Sequence, residues 1–129
     1  MQIIKKKIVV FTELNAWKEG HKLVVMIYQF TKSFPHQEIF GLILQMRRCA
    51  ISITSNIAEG FNRRSLKEKI QFYFVALGSV AEIQSQLILA KDIGYLSLKD
   101  FEKLYSQSVE VHKLIYGLIK STKRREKSP

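Results

Sequence analysis

The chain has 129 residues, of which 47% are hydrophobic, so it fits a single domain with a substantial core. Its 21 Lys and Arg residues outnumber 11 Asp and Glu residues, and the resulting net charge of +10 favours polyanionic partners. The single cysteine, Cys49, excludes an internal disulfide, and no uncharged apolar run reaches the roughly 20 residues that a bilayer span requires. We therefore expect a cytoplasmic protein without a membrane partner.

Residues 1–12 precede the first periodic segment and carry Lys5, Lys6 and Lys7 ahead of a short apolar run. That run is too short for the apolar core of a signal peptide, so we predict an extended N-terminal arm. The first periodic segment then continues to Pro35, because the residue before a proline disfavours helical backbone angles.

Turn and capping residues separate the next three segments. The second segment ends at Gly60. Ser65 and Glu68 have the spacing of a capping box and begin the third segment. Gly94 ends that segment as a left-handed cap, and Ser97 begins the fourth in the same way as Ser65 began the third.

Apolar residues recur in these segments at alternating steps of three and four, which is typical of helices that pack through shallow left-handed crossings. The core positions so predicted are Trp17, Val24, Ile27 and Phe30, then Ile39, Ile43, Met46, Ala50, Ile53 and Ile57, then Tyr73, Ala76, Val80, Ile83, Leu87 and Ala90, and finally Phe101, Leu104, Ser108, Val111, Ile115 and Leu118. Such helices joined by short loops pack antiparallel. We predict an all-α, antiparallel up-down-up-down four-helix bundle over residues 13–121 and a basic flexible tail over residues 122–129.

The second and third segments carry more apolar residues than one core stripe needs. The surplus residues are Phe40, Leu42, Leu44, Ile51, Ile70, Phe72, Phe74, Val75, Leu77, Ile88 and Ile93. Helix tilt that widens each buried face is one explanation, and an interface between copies of the chain is the other. We expect a homo-oligomer.

Polar residues inside the second and third segments predict a structural hydrogen-bond network. Ser52, Asn56 and Glu59 share one helix face, and Ser79 and Glu82 form a small polar patch on the next segment. If the two helices pair antiparallel, these patches meet and satisfy one another.

The same carboxylates do not indicate an enzyme. A di-iron bundle needs a Glu-x-x-His motif on two helices, and the sequence has none. No nucleophile or glycine-rich phosphate loop accompanies the carboxylates. We therefore predict no catalytic residues, no metal and no cofactor.

Basic residues fall in clusters and predict a surface that contacts phosphates. If the helices alternate in direction, the loop after the second helix and the end of the fourth meet at one end of the bundle. The predicted contacts with the backbone of RNA or DNA are Arg47, Arg48, Arg63, Arg64, Lys67, Lys123, Arg124 and Arg125. Charge that only maintains solubility, an anionic membrane and an acidic protein are the alternatives.

The run from Leu44 to Ile53, continuing into Asn56-Ile57-Ala58-Glu59-Gly60, resembles the signature of four-helix-bundle proteins encoded within intervening sequences of bacterial 23S ribosomal RNA genes. Ala76 to Ser79, Glu82 and Leu89 to Leu96 extend the resemblance, which covers about residues 11–120. Members are similar in fold to the accessory variability proteins of diversity-generating retroelements, which are basic, pentameric and partner a reverse transcriptase and nucleic acid.

The resemblance implies a ring of five bundles without enzymatic activity. Our leading hypothesis is a non-enzymatic, oligomeric nucleic-acid-binding protein that acts as an accessory factor to a reverse transcriptase. The alternative is a structural four-helix bundle that assembles but has no direct role with nucleic acid.

Overall fold

Helices occupy most of the chain that the computed structural model describes, residues 7–127. No strand occurs within that range, so the predicted all-α class is confirmed. The elements are α1 (Asn15–Thr31), α2 (Leu42–Phe61), α3 (Leu66–Asp92) and α4 (Leu98–Lys127), with short 3-10 turns at Phe11–Glu13 and His36–Glu38.

Local hydrogen bonds set the boundaries of α3. Ser65 Oγ accepts a bond from the Glu68 N–H at 3.2 Å, which satisfies one of the free donors of the first turn. At the other end Gly94 adopts a left-handed φ of 86°, and the Tyr95 N–H donates to the Ala90 carbonyl at 2.8 Å. Both boundaries agree with the sequence prediction.

The helix α1 ends one turn earlier than predicted. Its last residue is Thr31, whose Oγ1 donates to the Ile27 carbonyl at 2.6 Å, and Pro35 lies in the connection that follows. Ile39 also lies in this connection and is 42% exposed, so its predicted place in the core is wrong. Because Ile39 precedes the first residue of α2, it does not lie on the buried face of that helix, to which its spacing from Ile43 had assigned it.

The four helices alternate in direction around a square. In the described chain α2 contacts α3, α3 contacts α4, and α1 contacts both α2 and α4. One cavity is lined by Leu14 before α1, Phe61 at the end of α2, Tyr73 near the start of α3 and Thr122 near the end of α4. These four termini therefore lie at one end of the bundle, as the up-down-up-down order requires.

The predicted stripes form the core in α2 and α3 but less well in α1, where Leu23 and Ile27 are buried while the predicted residues Trp17, Val24 and Phe30 are only partly buried. Every predicted core residue of α3 is buried, and so are those of α2 from Ile43 onward. In α4 the side chain of Ile119 is buried where the pattern had placed Leu118, which is half-buried beside it. Core burial of this kind stabilises the fold by roughly 25 cal/mol per Å² of apolar surface removed from water.

The fourth helix is longer than predicted. We placed its end at residue 121 and a flexible tail beyond it, but α4 continues to Lys127 and Thr122 is only 3% exposed. Lys and Arg residues in a last helical turn are stabilised by the negative end of the helix dipole. Residues 1–6 of the predicted N-terminal arm and residues 128–129 of the predicted C-terminal tail lie outside the described residues.

By length and composition alone, α3 is apolar enough to cross a membrane. Its most apolar window is one third buried in the bundle. Core helices of soluble proteins pass the same test, so this is weak evidence for a membrane span. Every window of roughly 20 residues in α3 contains Glu82, so the observation that no uncharged apolar run reaches that length still holds.

Gly60 allows α2 and α3 to approach closely, so a larger residue at this position should destabilise the fold. A Cβ at Gly60 would lie 2.8 Å from Tyr73 Cε1 and 2.9 Å from Phe72 Cβ. We expect Gly60→Ala to lower the free energy of unfolding by about 1–2 kcal/mol, because crowding outweighs the gain in helix propensity. Urea denaturation followed by circular dichroism measures this change.

Gly78→Ala is the matched control in α3. Apart from its two chain neighbours and the adjacent backbone of α3, no atom of residues 7–127 lies within 4 Å of the Cβ that it would add, so it should raise the free energy of unfolding by about 0.5–1 kcal/mol. Equal effects of the two substitutions would show that the contact at Gly60 does not limit the approach of the helices.

Candidate nucleic-acid interface

Cationic side chains concentrate at the end of the bundle where α1 and α3 begin and α2 and α4 end. We call this the basic end, and its cations are Lys7, Arg63, Arg64, Lys67, Lys69, Lys120, Lys123, Arg124, Arg125 and Lys127. The acidic residues in the same helical termini are Glu13, Glu59, Glu68 and Glu126. The surplus of positive charge at this end attracts anions.

The loop between α2 and α3 provides one part of the basic end. Arg63 donates from Nη2 to Glu59 at 2.8 Å, and its guanidinium lies 4.7 Å from the centre of the Phe72 ring. These contacts orient Arg63 and neutralise part of its charge. Arg64 and Lys67 are exposed on the same loop and on the first turn of α3.

The last two turns of α4 provide the other part. Lys123 Nζ lies 5.2 Å from the centre of the Phe74 ring on α3, and Arg124 and Arg125 are exposed. The contact with Phe74 places the Lys123 ammonium over the outer surface of α3. The structure therefore brings six of the eight predicted contact residues to one end.

The other two predicted contacts lie elsewhere. Arg47 donates from Nε to Thr31 Oγ1 at 3.1 Å and from Nη2 to the Tyr28 carbonyl at 3.4 Å, and its guanidinium lies 4.5 Å from the centre of the Tyr28 ring. It thus holds the end of α1 against α2. Arg48 is exposed but precedes the end of α2 by 13 residues, which is about 20 Å along a helix.

The structure brings together three residues of the predicted polar network. Ser52 Oγ and Ser79 Oγ lie 2.9 Å apart, and Asn56 Nδ2 donates to the Ser52 carbonyl at 2.7 Å. Glu59 does not join them, because its partner is Arg63, four residues later in the loop that follows α2. Glu82 is exposed and contacts the network through Cys49, whose Sγ lies 3.7 Å from its carboxylate.

Cys49 also belongs to this network, although its membership was not predicted. Its Sγ donates to the Ser79 carbonyl at 3.1 Å. The spacing of Cys49, Ser52 and Asn56 by three and four residues would have placed all three on one face. Burial raises the pKa of the Cys49 thiol to about 12, and the negative charge of Glu82 and its hydrogen bond add to the rise.

No metal-binding group is evident in the part of the chain described, residues 7–127, where no three His, Cys, Asp or Glu residues cluster. The arrangement instead combines a structural network between α2 and α3 with exposed cations at one end. Exposed cations of this kind can bind phosphates.

The pKa of Cys49 predicts slow alkylation of the folded protein. Only the thiolate attacks iodoacetamide, and its fraction at pH 8 is far lower for a pKa of about 12 than for the ordinary value of 9.0. We expect the native rate to be on the order of 100-fold below the rate in urea. The raised pKa also contributes stability that is present below pH 9 and is lost as pH rises toward 12.

Glu82→Gln removes the neighbouring negative charge and should speed native alkylation, whereas Glu102→Gln, on the exposed surface of α4, should not. A native rate equal to the rate in urea would contradict the burial of the thiol.

The comparisons with known proteins agree with the fold. Residues 12–117 match the family described as 23S rRNA-intervening sequence protein. A crystal structure of a protein of unknown function from the S23 ribosomal protein family of Bacteroides thetaiotaomicron is similar, with 26% sequence identity and a TM-score of 0.73 over 81% of this chain and 98% of that chain. No curated protein matches the sequence.

The similarity to retroelement accessory proteins stays a prediction.

The family match spans all four helices, from the 3-10 turn before α1 to the later part of α4. The chain therefore belongs to the family of 23S rRNA-intervening sequence proteins.

Proposed function

We propose that this protein is a non-enzymatic, oligomeric nucleic-acid-binding protein whose basic end contacts the phosphate backbone of RNA or DNA. The observation that carries the proposal is the convergence of exposed cations from the α2–α3 loop and the end of α4. Arg64 and Lys67 come from the first region and Lys123, Arg124 and Arg125 from the second. About 60 residues separate the two regions in sequence.

Contacts with the phosphate backbone of a nucleic acid explain this surface better than contacts with its bases. Lys and Arg side chains on a convex end reach phosphates, whereas base reading needs an element that enters a groove or stacks on bases. The proposed contacts are Arg63, Arg64, Lys67, Lys123, Arg124 and Arg125, and Arg47 is better explained as a structural contact of α1. Arg48 stays a predicted contact outside the basic end.

A charge-neutralisation comparison between the two ends of the bundle tests this proposal. The variant with Arg64→Gln, Lys67→Gln and Lys123→Gln removes three contacts. For single strands each contact contributes about 0.7 to the slope of log K against log salt, so the slope should fall by about 2 and Kd should rise on the order of 100-fold at about 0.1 M salt. Fluorescence anisotropy with a labelled single-stranded RNA measures both quantities.

The matched control removes the same charge at the opposite end with Lys32→Gln, Lys99→Gln and Lys103→Gln, all of which are exposed. It should change the affinity by less than about fivefold, since these charges act only through screened long-range attraction. Equal losses in the two variants would show that net charge alone governs binding. No binding by the wild-type protein would favour the alternative, a bundle whose role is structural.

The second part of the proposal is self-association through the outer face of α2 and α3. Phe40 is 87% exposed, and Val75, Leu89 and Ile93 are each about half exposed along one face of α3. Apolar residues grouped in this way indicate an interface more often than a free surface. The predicted ring of five is supported only by the resemblance.

A groove between α2 and α3 adjoins these residues. We call it the α2–α3 groove, and its two adjacent hollows of about 520 and 380 Å³ share Gln45 and Gln86. Within residues 7–127, Gln86 Oε1 is buried and has no hydrogen-bond partner. A buried acceptor without a donor is costly, and a second copy seated in the groove can supply the donor.

Size-exclusion chromatography with light scattering tests the association. The wild-type mass should be a multiple of 15.0 kDa, and Val75→Glu with Leu89→Glu should dissociate the assembly to that mass, because two carboxylates become buried in an apolar contact. The matched control, Val25→Glu with Leu98→Glu, places the same charges on exposed apolar residues of α1 and α4.

A monomeric wild-type protein would contradict the association. An assembly that survives Val75→Glu with Leu89→Glu would place the interface on another surface. A reverse transcriptase as partner and a cytoplasmic location stay predictions.

A further inference from the structure

A cavity of about 540 Å³ opens among the helix termini at the basic end. We call it the end cavity, and it is separate from the exposed cations of the α2–α3 loop. Its lining residues are Lys7, Ile8, Leu14, Phe61, Lys69, Tyr73, Leu118, Ser121, Thr122 and Arg125. Its volume lies within the range of about 300–1,000 Å³ that is typical of small-molecule sites.

Of the described residues that line the end cavity, three are cations and none is a carboxylate. They are Lys7 from the N-terminal segment, Lys69 from α3 and Arg125 from α4. The pKa of Lys69 is lowered by burial and, to a smaller extent, by the positive charge of Arg125. Like charges that share a partly enclosed space repel one another, so this arrangement is favourable chiefly when an anion is bound.

Lys69 is held in place beside the cavity. Its ammonium donates to the Phe61 carbonyl at the end of α2 and lies 5.2 Å from the centre of the Phe61 ring. One hydrogen bond leaves two of its three N–H donors for another acceptor. The position of the ammonium is therefore fixed before any anion arrives, which lowers the entropic cost of binding.

Neutral hydroxyl groups complete the polar side of the end cavity. The Tyr73 side chain is 1% exposed, and its burial raises its pKa to about 12 although the charge of Arg125 opposes the rise. It therefore remains protonated at neutral pH and can donate a hydrogen bond. Thr122 Oγ1 donates to the Leu118 carbonyl at 2.8 Å, and Ser121 is exposed beside it.

We propose that the end cavity binds a phosphate monoester, with Lys69, Arg125 and Lys7 facing the phosphoryl oxygens and Tyr73 donating to them. A monoester carries nearly two negative charges at pH 7, whereas an internal phosphodiester carries one. Three cations and a hydroxyl donor favour the dianion, and the apolar wall formed by Leu14 and Leu118 suits the organic part of the ester.

Such a group is present at the end of a nucleic-acid strand and in a free nucleotide. We favour the strand end, and that choice rests on the proposed function, because the exposed cations nearby would hold the adjoining backbone. A partly enclosed site among helix termini would admit the end of a strand more readily than its interior. The end cavity would then direct the protein to strand termini.

The experiment compares two labelled single strands of one sequence, one with phosphates at both ends and one with hydroxyls at both ends. The full-length protein should bind the phosphorylated strand about tenfold more tightly at physiological salt. Lys69→Gln should bring the ratio to about 1, and Tyr73→Phe, which removes only the hydroxyl donor, should lower it about threefold. Lys103→Gln, the control with the same change of charge at the opposite end, should leave the ratio unchanged.

The outcomes separate this inference from the proposed function. Equal binding of both strands would overturn the end cavity as a terminal-phosphate site and leave backbone binding intact. If neither strand binds, the proposed function fails, and the cavity is tested by melting with a nucleoside monophosphate. A rise in melting temperature that Lys69→Gln abolishes would support a free nucleotide as ligand, and no rise would overturn the inference.

Discussion

The close approach of α2 and α3 determines the geometry of the rest of the molecule. Gly60 contributes no side chain where the ring of Tyr73 lies against α2. Two turns earlier the hydroxyls of Ser52 and Ser79 meet at 2.9 Å, so small residues keep the helices close along the seam. A wider seam would shift the loop that follows Gly60, and the cations of that loop would move away from the end of α4.

Close packing of the apolar stripes leaves every ionised group outside the core. In residues 7–127 the buried Ser and Thr side chains are Thr31, Ser79, Ser108 and Thr122, and each has a hydrogen-bond partner. The other buried side chains with a polar atom are the neutral Tyr73 and Cys49. Because the order of the helices brings the ends of α2 and α4 together, the positive charge of the chain is concentrated rather than spread.

The predicted contact residues lie together where their placement depends on the order of the helices, and apart where it depends on rotation about a helix axis. Arg47 and Arg48 are adjacent in sequence and look like one cluster. Consecutive residues on a helix point about 100° apart, so Arg47 contacts α1 whereas Arg48 faces solvent. Glu59 was expected to reach across to α3, but its partner is Arg63, four residues later in the loop that follows α2.

The sequence by itself determined the four helices, the caps at Ser65 and Gly94 and the inward stripes, because capping and periodicity act within a few residues of each position. Only the tertiary structure decided which charges share a cavity. Lys7, Lys69 and Arg125 are more than 50 residues apart from one another, and no spacing rule connects them. Helix order, helix rotation and the length of α4 place them together, and these depend on packing across the whole bundle.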